Sequence, residues 1–139
     1  MTRPKKEIAL EYVDVMWNQH DVEQGLGYLT PPFAESVLPH VTELLDAFSD
    51  LSVDILPPGP IEEGDLVAVR LAVTGTHDSS PFAGHQPSGR SIRWESFRMF
   101  RFEGDRIAET WAMQDRLGLL EQLGAIESTA GDVDWAAGD

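Results

Sequence analysis

The stretch IAETWAMQDRLGLLEQLG, Ile107–Gly124, decides how this chain is read, because its periodicity changes halfway along. Up to Gln114, β-branched and aromatic residues recur at every second position, the pattern of a half-buried strand; from Arg116 the leucines fall at helical spacing. Asp115 stands at the joint. A lone carboxylate where a core-lining strand hands over to a helix is either an N-cap, a common use of Asp, or a functional group at the edge of a cavity. In the second case apolar walls raise its pKa and fit it to move a proton from an activated carbon.

Working backwards, RIAETWAMQ (106–114) and RSIRWESFRMFRF (90–102) are two strands joined through EGDR (103–106). A two-residue turn at Gly104 and Asp105 pairs Phe102 with Ile107, and every opposed pair then sums to 209. That register sets Trp94 against Asp115, Ser96 against Met113, Arg98 against Trp111 and Phe100 against Glu109, all on one face. The face is apolar enough to be internal yet carries Arg98, Glu109 and Asp115, and charges are buried only at a cost, so it reads as the wall of a ligand cavity. The opposite face carries Glu95, Phe97, Met99 and Arg101 against Ala108, Thr110, Ala112 and Gln114, a mixed set suited to solvent or a second subunit. A slip of one residue would exchange the two faces.

The rest of the chain supplies helices first and strands afterwards. Pro4–Asn18 reads as a helix, capped by Thr2, with Ile8, Tyr12, Val15 and Met16 as its apolar stripe. HDVEQGLGYL (20–29) is a short second helix that PPF (31–33) stops, and HVTELLDAFSDL (40–51) is a third. LSVDIL (51–56) is a short strand, PPGPIEEGD (57–65) a rigid turn region, and LVAVRLAVTGTH (66–77) a long strand with Val67, Val69, Leu71 and Val73 on one face. The segment from Asp78 to Gly89, punctuated by Pro81, Gly84 and Pro87, is a loop long enough for a functional lid. This order implies α+β, with helices packed on one face of a curved antiparallel sheet. Residues 1–125 make a single domain, and 126–139 read as an acidic, disordered tail.

Composition narrows the function. The chain has 139 residues, 24 acidic against 10 basic, and a formal net charge of -14, which repels phosphate backbones and anionic lipid. Nucleic acid and membrane are therefore set aside as partners. No apolar run approaches the roughly 20 residues of a membrane span and MTRPKKEIAL has no signal-peptide core, so a cytoplasmic location is expected. Without cysteine there is neither disulfide nor thiolate chemistry. The four histidines are scattered and no phosphate cradle or nucleophile elbow occurs, so no metal or cofactor is expected.

AFSDLSVDI, EEGDLVAVRLAVTGTH, FAGHQPSGRSI, MFRFEGDRIAETW and QDRLGLLEQLG follow one another in the order seen in the SnoaL-like polyketide cyclase family, which shares the nuclear transport factor 2 fold. The resemblance spans about Asp46 to Gly124. It implies a cone-shaped α+β barrel with a cavity between the curved sheet and the first helices, usually a homodimer, and a small planar hydrophobic substrate. Family members include aldol cyclases of aromatic polyketide biosynthesis, proteins assigned to polyketide hydroxylation, and many of unknown role. The cyclases use a His and an Asp on the last hairpin; aligned on GDRI and QLG, those positions fall on Arg98 and Ala112. Arg stays protonated and cannot be a base, so the cyclase mechanism does not transfer residue by residue. Between Tyr28 and Asp46 the chain is shorter than those cyclases, and His40 is at most a doubtful counterpart of a His they tend to carry there.

The candidate site therefore has Asp115 as acid/base and Arg98 as partner of an enolate or quinone oxygen, with Trp94, Trp111, Met113, Phe100, Glu109, Trp17 and His77 as substrate-binding residues. Competing readings stand beside these. Arg98 could form a structural pair with Glu109 on the neighbouring strand. Trp94 and Trp111 could be core rather than stacking platforms. His77 could make a structural hydrogen bond, His85 sits in the lid, and His20 decorates a helix end. The functional expectation is a cofactor-free enzyme of hydroxylation or aldol cyclisation, and its competitor is a non-catalytic binding or assembly subunit built on the same cavity.

Overall fold

The computed structural model describes residues 3–124; Thr2, expected as a cap, and the tail lie outside the described residues. Helix α1, Lys5–Val13, buries Ile8, Ala9, Tyr12 and Val13 and runs into a wider π-type turn, Asp14–Asn18, closed by the Gln19 N–H on the Asp14 carbonyl at 2.8 Å. At its end the Asn18 side-chain amide grips the backbone of Val53, donating to the carbonyl at 3.1 Å and accepting from the N–H at 2.6 Å. Asn18 thus satisfies polar groups of an edge strand, β1, Ser52–Ile55, that no further strand covers among the described residues.

Helix α2, Val22–Leu26, is capped by Asp21 accepting from the Gln24 N–H. Helix α3, Pro31–Ala47, begins nine residues before the expected start at His40. PPF starts this helix rather than stopping the previous one, because proline in the first turn forfeits only N–H groups that have no intrahelical partner anyway. Pro39 is accommodated within it on an exposed face, while Val41, Leu44 and Ala47 are buried at three-residue spacing.

The sheet is antiparallel: β1 pairs with β3, Leu66–Thr76, β3 with β4, Ser91–Glu103, and β4 with β5, Arg106–Gln114, while the short β2, Ile61–Glu63, also pairs with β3. The PPGPIEEGD segment therefore contains a short strand as well as turns. On β3 the residues Val67, Val69, Leu71 and Val73 do share the buried face. They oppose Phe100, Arg98, Ser96 and Trp94 of β4, Ser91–Glu103. Helices and the buried sheet face enclose one core, in which Phe48 packs on Phe82 and Trp94 with ring centroids 5.4 and 6.0 Å apart. The result is an α+β fold with a curved, unclosed antiparallel sheet against the helices.

The last hairpin differs from the expected pairing at one point. β5, Arg106–Gln114, opposes Phe102 with Ile107 as the Gly104–Asp105 turn requires, but Arg101 then opposes Glu109, so Ala108 is an extra residue. The cause is visible in the backbone. The Ile107 N–H donates to the Tyr28 carbonyl at 2.8 Å and its carbonyl accepts from the Thr30 N–H at 2.9 Å, so Ile107 is tied to the segment ahead of α3. Beyond the bulge every β5 side chain lies on the face opposite to the one a strict alternation assigns. Arg98 faces Ala112, Phe97 faces Met113 and Met99 faces Trp111. The chain ends its described course in α4, Arg116–Leu123, closed by Gly124 at a φ of 79°.

Candidate functional site

A cavity of about 300 Å³ lies between the sheet and the helices. Its apolar walls come from Leu71, Val73, Trp94 and Phe100 on the strands and from Val13, Trp17 and Leu44 on the helices. Phe82 and Ala83 of the long 78–89 loop also reach it, so this loop forms part of the wall. The polar groups are few: Tyr12, His40, Glu43, Arg98, Gln114 and Arg116. That combination of apolar lining and sparse polar groups is the usual composition of a small-molecule site.

Arg98 dominates its electrostatics. The side chain projects inward from β4 between Trp94 and Phe100, and among the described residues none hydrogen-bonds or ion-pairs with it. Burial lowers its pKa, opposed by Tyr12 nearby, but a guanidinium remains charged at any working pH. Glu109, its expected partner, sits on the other face and accepts instead from the Arg101 Nε at 3.0 Å. An enclosed cation without a counter-charge is costly unless a ligand supplies one.

Two further groups stand close enough to interact with Arg98. Tyr12 is buried, edge-packed on Phe100 at 6.1 Å, and burial raises its phenol pKa, so it remains a proton donor. His40, exposed on α3 at the cavity mouth, has its pKa lowered by partial desolvation and by the Arg98 charge, with Glu43 opposing, which favours its neutral form. A neutral imidazole beside a fixed cation can take a proton.

Of the residues expected at the site, the cavity gathers Arg98, Trp94, Phe100 and Trp17. Trp111, Met113 and Glu109 are corrected to the outer face by the bulge, where Trp111 is 48% and Met113 78% exposed. Gln114 comes inward in their place. Asp115 is the N-cap of α4, exposed, its Oδ1 accepting from the Gly118 N–H at 2.9 Å, and the cavity is lined by its neighbours on either side. His77 is fully buried away from the cavity lining, its Nε2 donating to the Ser80 carbonyl at 2.7 Å and its ring tilted on Phe48. His20 likewise serves the backbone, donating from Nε2 to the Leu51 carbonyl, and His85 is half-buried in the loop. Tyr12 and Glu43 escaped the sequence reading, and His40 entered it only as a counterpart of the family His, not as a site residue. For the α3 pair the signal was the spacing of His40, Glu43 and Leu44, which shares one helix face.

The outer sheet face is a second, open depression of about 410 Å³ lined by Ile61, Phe97, Met99, Trp111 and Met113. Ion pairs of Arg70 and Arg93 with Glu95, and of Arg101 with Glu109, lie on the same face. Among the described residues no cluster of three potential metal ligands occurs, and no helix is long and apolar enough to cross a membrane.

Comparison with known proteins agrees with this architecture. The family model of the SnoaL-like polyketide cyclases matches residues 7–123. AclR, a candidate hydroxylase from Streptomyces galilaeus, superposes with a TM-score of 0.78 at 27% identity, covering 89% of this chain and 83% of that one. A candidate polyketide cyclase from Acidithiobacillus ferrooxidans gives 0.74 at 25% identity, covering 90% and 98%. TsrD from Streptomyces laurentii gives 0.79 at 23% identity, covering 91% and 99%, and speaks for the fold alone. A search of curated protein sequences gave no match. The match over residues 7–123, on a fold that these structures share, shows that the chain belongs to the SnoaL-like polyketide cyclase family.

Proposed function

We propose that the protein is a cofactor-independent cytoplasmic enzyme that binds a planar, polyketide-like substrate in the inner cavity and converts it through an enolate whose oxygen rests on Arg98. The observation that carries this reading is the Arg98 guanidinium, unpaired among the described residues, in a cavity whose walls are largely apolar. In an aldol closure, a base removes a proton from carbon next to a carbonyl, and the charge that develops on oxygen is met by a cation already in place. The enolate carbon attacks a second carbonyl of the same chain, a carbon–carbon bond closes the ring, and the proton returns to the new alkoxide.

Asp115 and His40 are the two groups proposed for proton transfer. Asp115 is occupied as a cap, whereas His40 lines the cavity and its pKa is lowered, so the geometry favours His40. Hydroxylation is the second reading, favoured by the likeness to AclR; it starts from the same enolate and needs dioxygen and electrons from a separate donor. We further assign the outer face as the surface of a homodimer, since its exposed apolar residues accompany arginines already paired with carboxylates of the same face.

The test is incubation with a poly-β-ketone-derived aromatic substrate carrying an unclosed ring. Ring closure by the wild type and its loss in Arg98→Met support the proposal. Binding without conversion, with or without dioxygen and a reductant, would make the protein a non-catalytic binding or assembly subunit.

A further inference from the structure

Tyr12 belongs to α1 and has no place in the hairpin chemistry that the resemblance implies, yet it stands where a second oxygen-binding donor would be needed. It lines the cavity, its hydroxyl feels the Arg98 charge, and its ring is fixed by edge contacts with Phe100 and with Tyr28 at 6.3 Å. Arg98 comes from the opposite wall, from the middle of β4. Helix and sheet therefore present two donors to one small volume, one neutral and one cationic.

We infer that Tyr12 and Arg98 form a two-point oxyanion site that selects ligands presenting an ionised oxygen on a planar ring system, a phenolate or enolate, over the same ring system without it. This deepens the proposed function and rests on it. Tyr12 is fixed before the ligand arrives by its ring packing, so little is lost in orienting its hydroxyl. The other charged or titratable groups of this cavity, His40 and Glu43 on α3 and Arg116 on α4, line the same space and stay unchanged in both variants used as the test.

Alizarin, a dihydroxyanthraquinone whose absorption moves to the red on ionisation, is the probe, and 9,10-anthraquinone is its uncharged control. Wild type should bind alizarin at least tenfold more tightly than anthraquinone and shift the bound spectrum toward the ionised form at a pH where the free dye is mostly neutral. Tyr12→Phe, which keeps the ring, should weaken alizarin about tenfold, as expected for one hydrogen bond to a charged oxygen, and leave anthraquinone within about twofold. Arg98→Met should remove the spectral shift. Thermal melting shows that each variant folds. Alizarin affinity unchanged in Tyr12→Phe, or both ligands weakened alike, would overturn the oxyanion role while leaving the aromatic cavity intact. Wild type that binds neither dye would overturn the cavity reading and this site together.

Discussion

Arg101 donates from Nε to Glu109 at 3.0 Å across the outer face of the β4–β5 hairpin, and this pair removes the neighbouring-strand carboxylate that a strict alternation offers to Arg98. Arg98 is left facing Ala112, with its charge directed into the cavity.

Arg98→Met should therefore leave thermal stability unchanged or raise it, because the substitution removes an enclosed charge that has no ion-pair partner among the described residues. Binding of an anionic aromatic ligand should fall at least tenfold. Differential scanning fluorimetry and titration calorimetry read the two effects separately. A marked drop in Tm would mean that the guanidinium has a structural partner.

Asp115 and His40 are separable by charge-removing changes. Asp115→Asn should leave Tm and turnover near wild type, since Asn caps as well as Asp, whereas Asp115→Ala should cost about 1 kcal/mol of stability with activity retained. His40→Gln should abolish turnover with little change in Tm. Abolished turnover in a folded Asp115→Asn protein would return the base to Asp115.

The pH profile gives an independent check on the base. The His40 pKa lies below the ordinary value of 6.5, so the neutral, proton-accepting form persists into mildly acid solution. Turnover should decline on acidification as the imidazole protonates, with the midpoint of that limb below pH 6.5. The expected profile has this acid limb in wild type and not in any residual activity of His40→Gln.

The proposed dimer has a direct measurement. Light scattering at micromolar concentration should give about twice the 15.4 kDa chain mass. Met113→Glu, which places charge on the most exposed apolar side chain of the outer face, should return it to one chain mass without loss of Tm in dilute solution. Wild type that stays monomeric at high concentration would remove the interface assignment.

Acid stability should depend on the loop anchor at Asp78. Its carboxylate accepts from the Ser49 hydroxyl at 2.6 Å and the Ser49 N–H at 3.2 Å, and these bonds hold its pKa below the ordinary aspartate range. A depressed carboxylate stabilises the fold above its unfolded pKa, and that contribution disappears as pH falls through the folded value. Ser49→Ala should thus shrink the fall of Tm on acidification, which melting curves from neutral pH downward will show.

Periodicity made the strands legible: β5 runs from Arg106 to Gln114 as its alternation indicates, and Val67, Val69, Leu71 and Val73 do share a face. The start of α3 was not, because Pro31 and Pro32 break a helix in its middle but suit its first turn, and local sequence does not say which applies. The outward turn of Trp111 and Met113 was hidden for a different reason. It originates in hydrogen bonds from Ile107 to Tyr28 and Thr30, far earlier in the chain, which leave no trace in the hairpin itself. Trp94, Phe100 and Arg98 could be placed at the cavity because they lie on the strand whose inward face survives that bulge.

The extra residue at Ala108 means that the chemistry of this cavity is set by a count as much as by a choice of side chains. Deleting Ala108 would alter no functional group, yet it would send Trp111 and Met113 inward and Ala112 and Gln114 outward, exchanging the cavity-facing side chains for the outward-facing ones in one step. Members of a family built on this hairpin can therefore trade the two surfaces by gaining or losing a single residue near the turn, and an alignment without that gap would assign the same letters to opposite sides of the sheet.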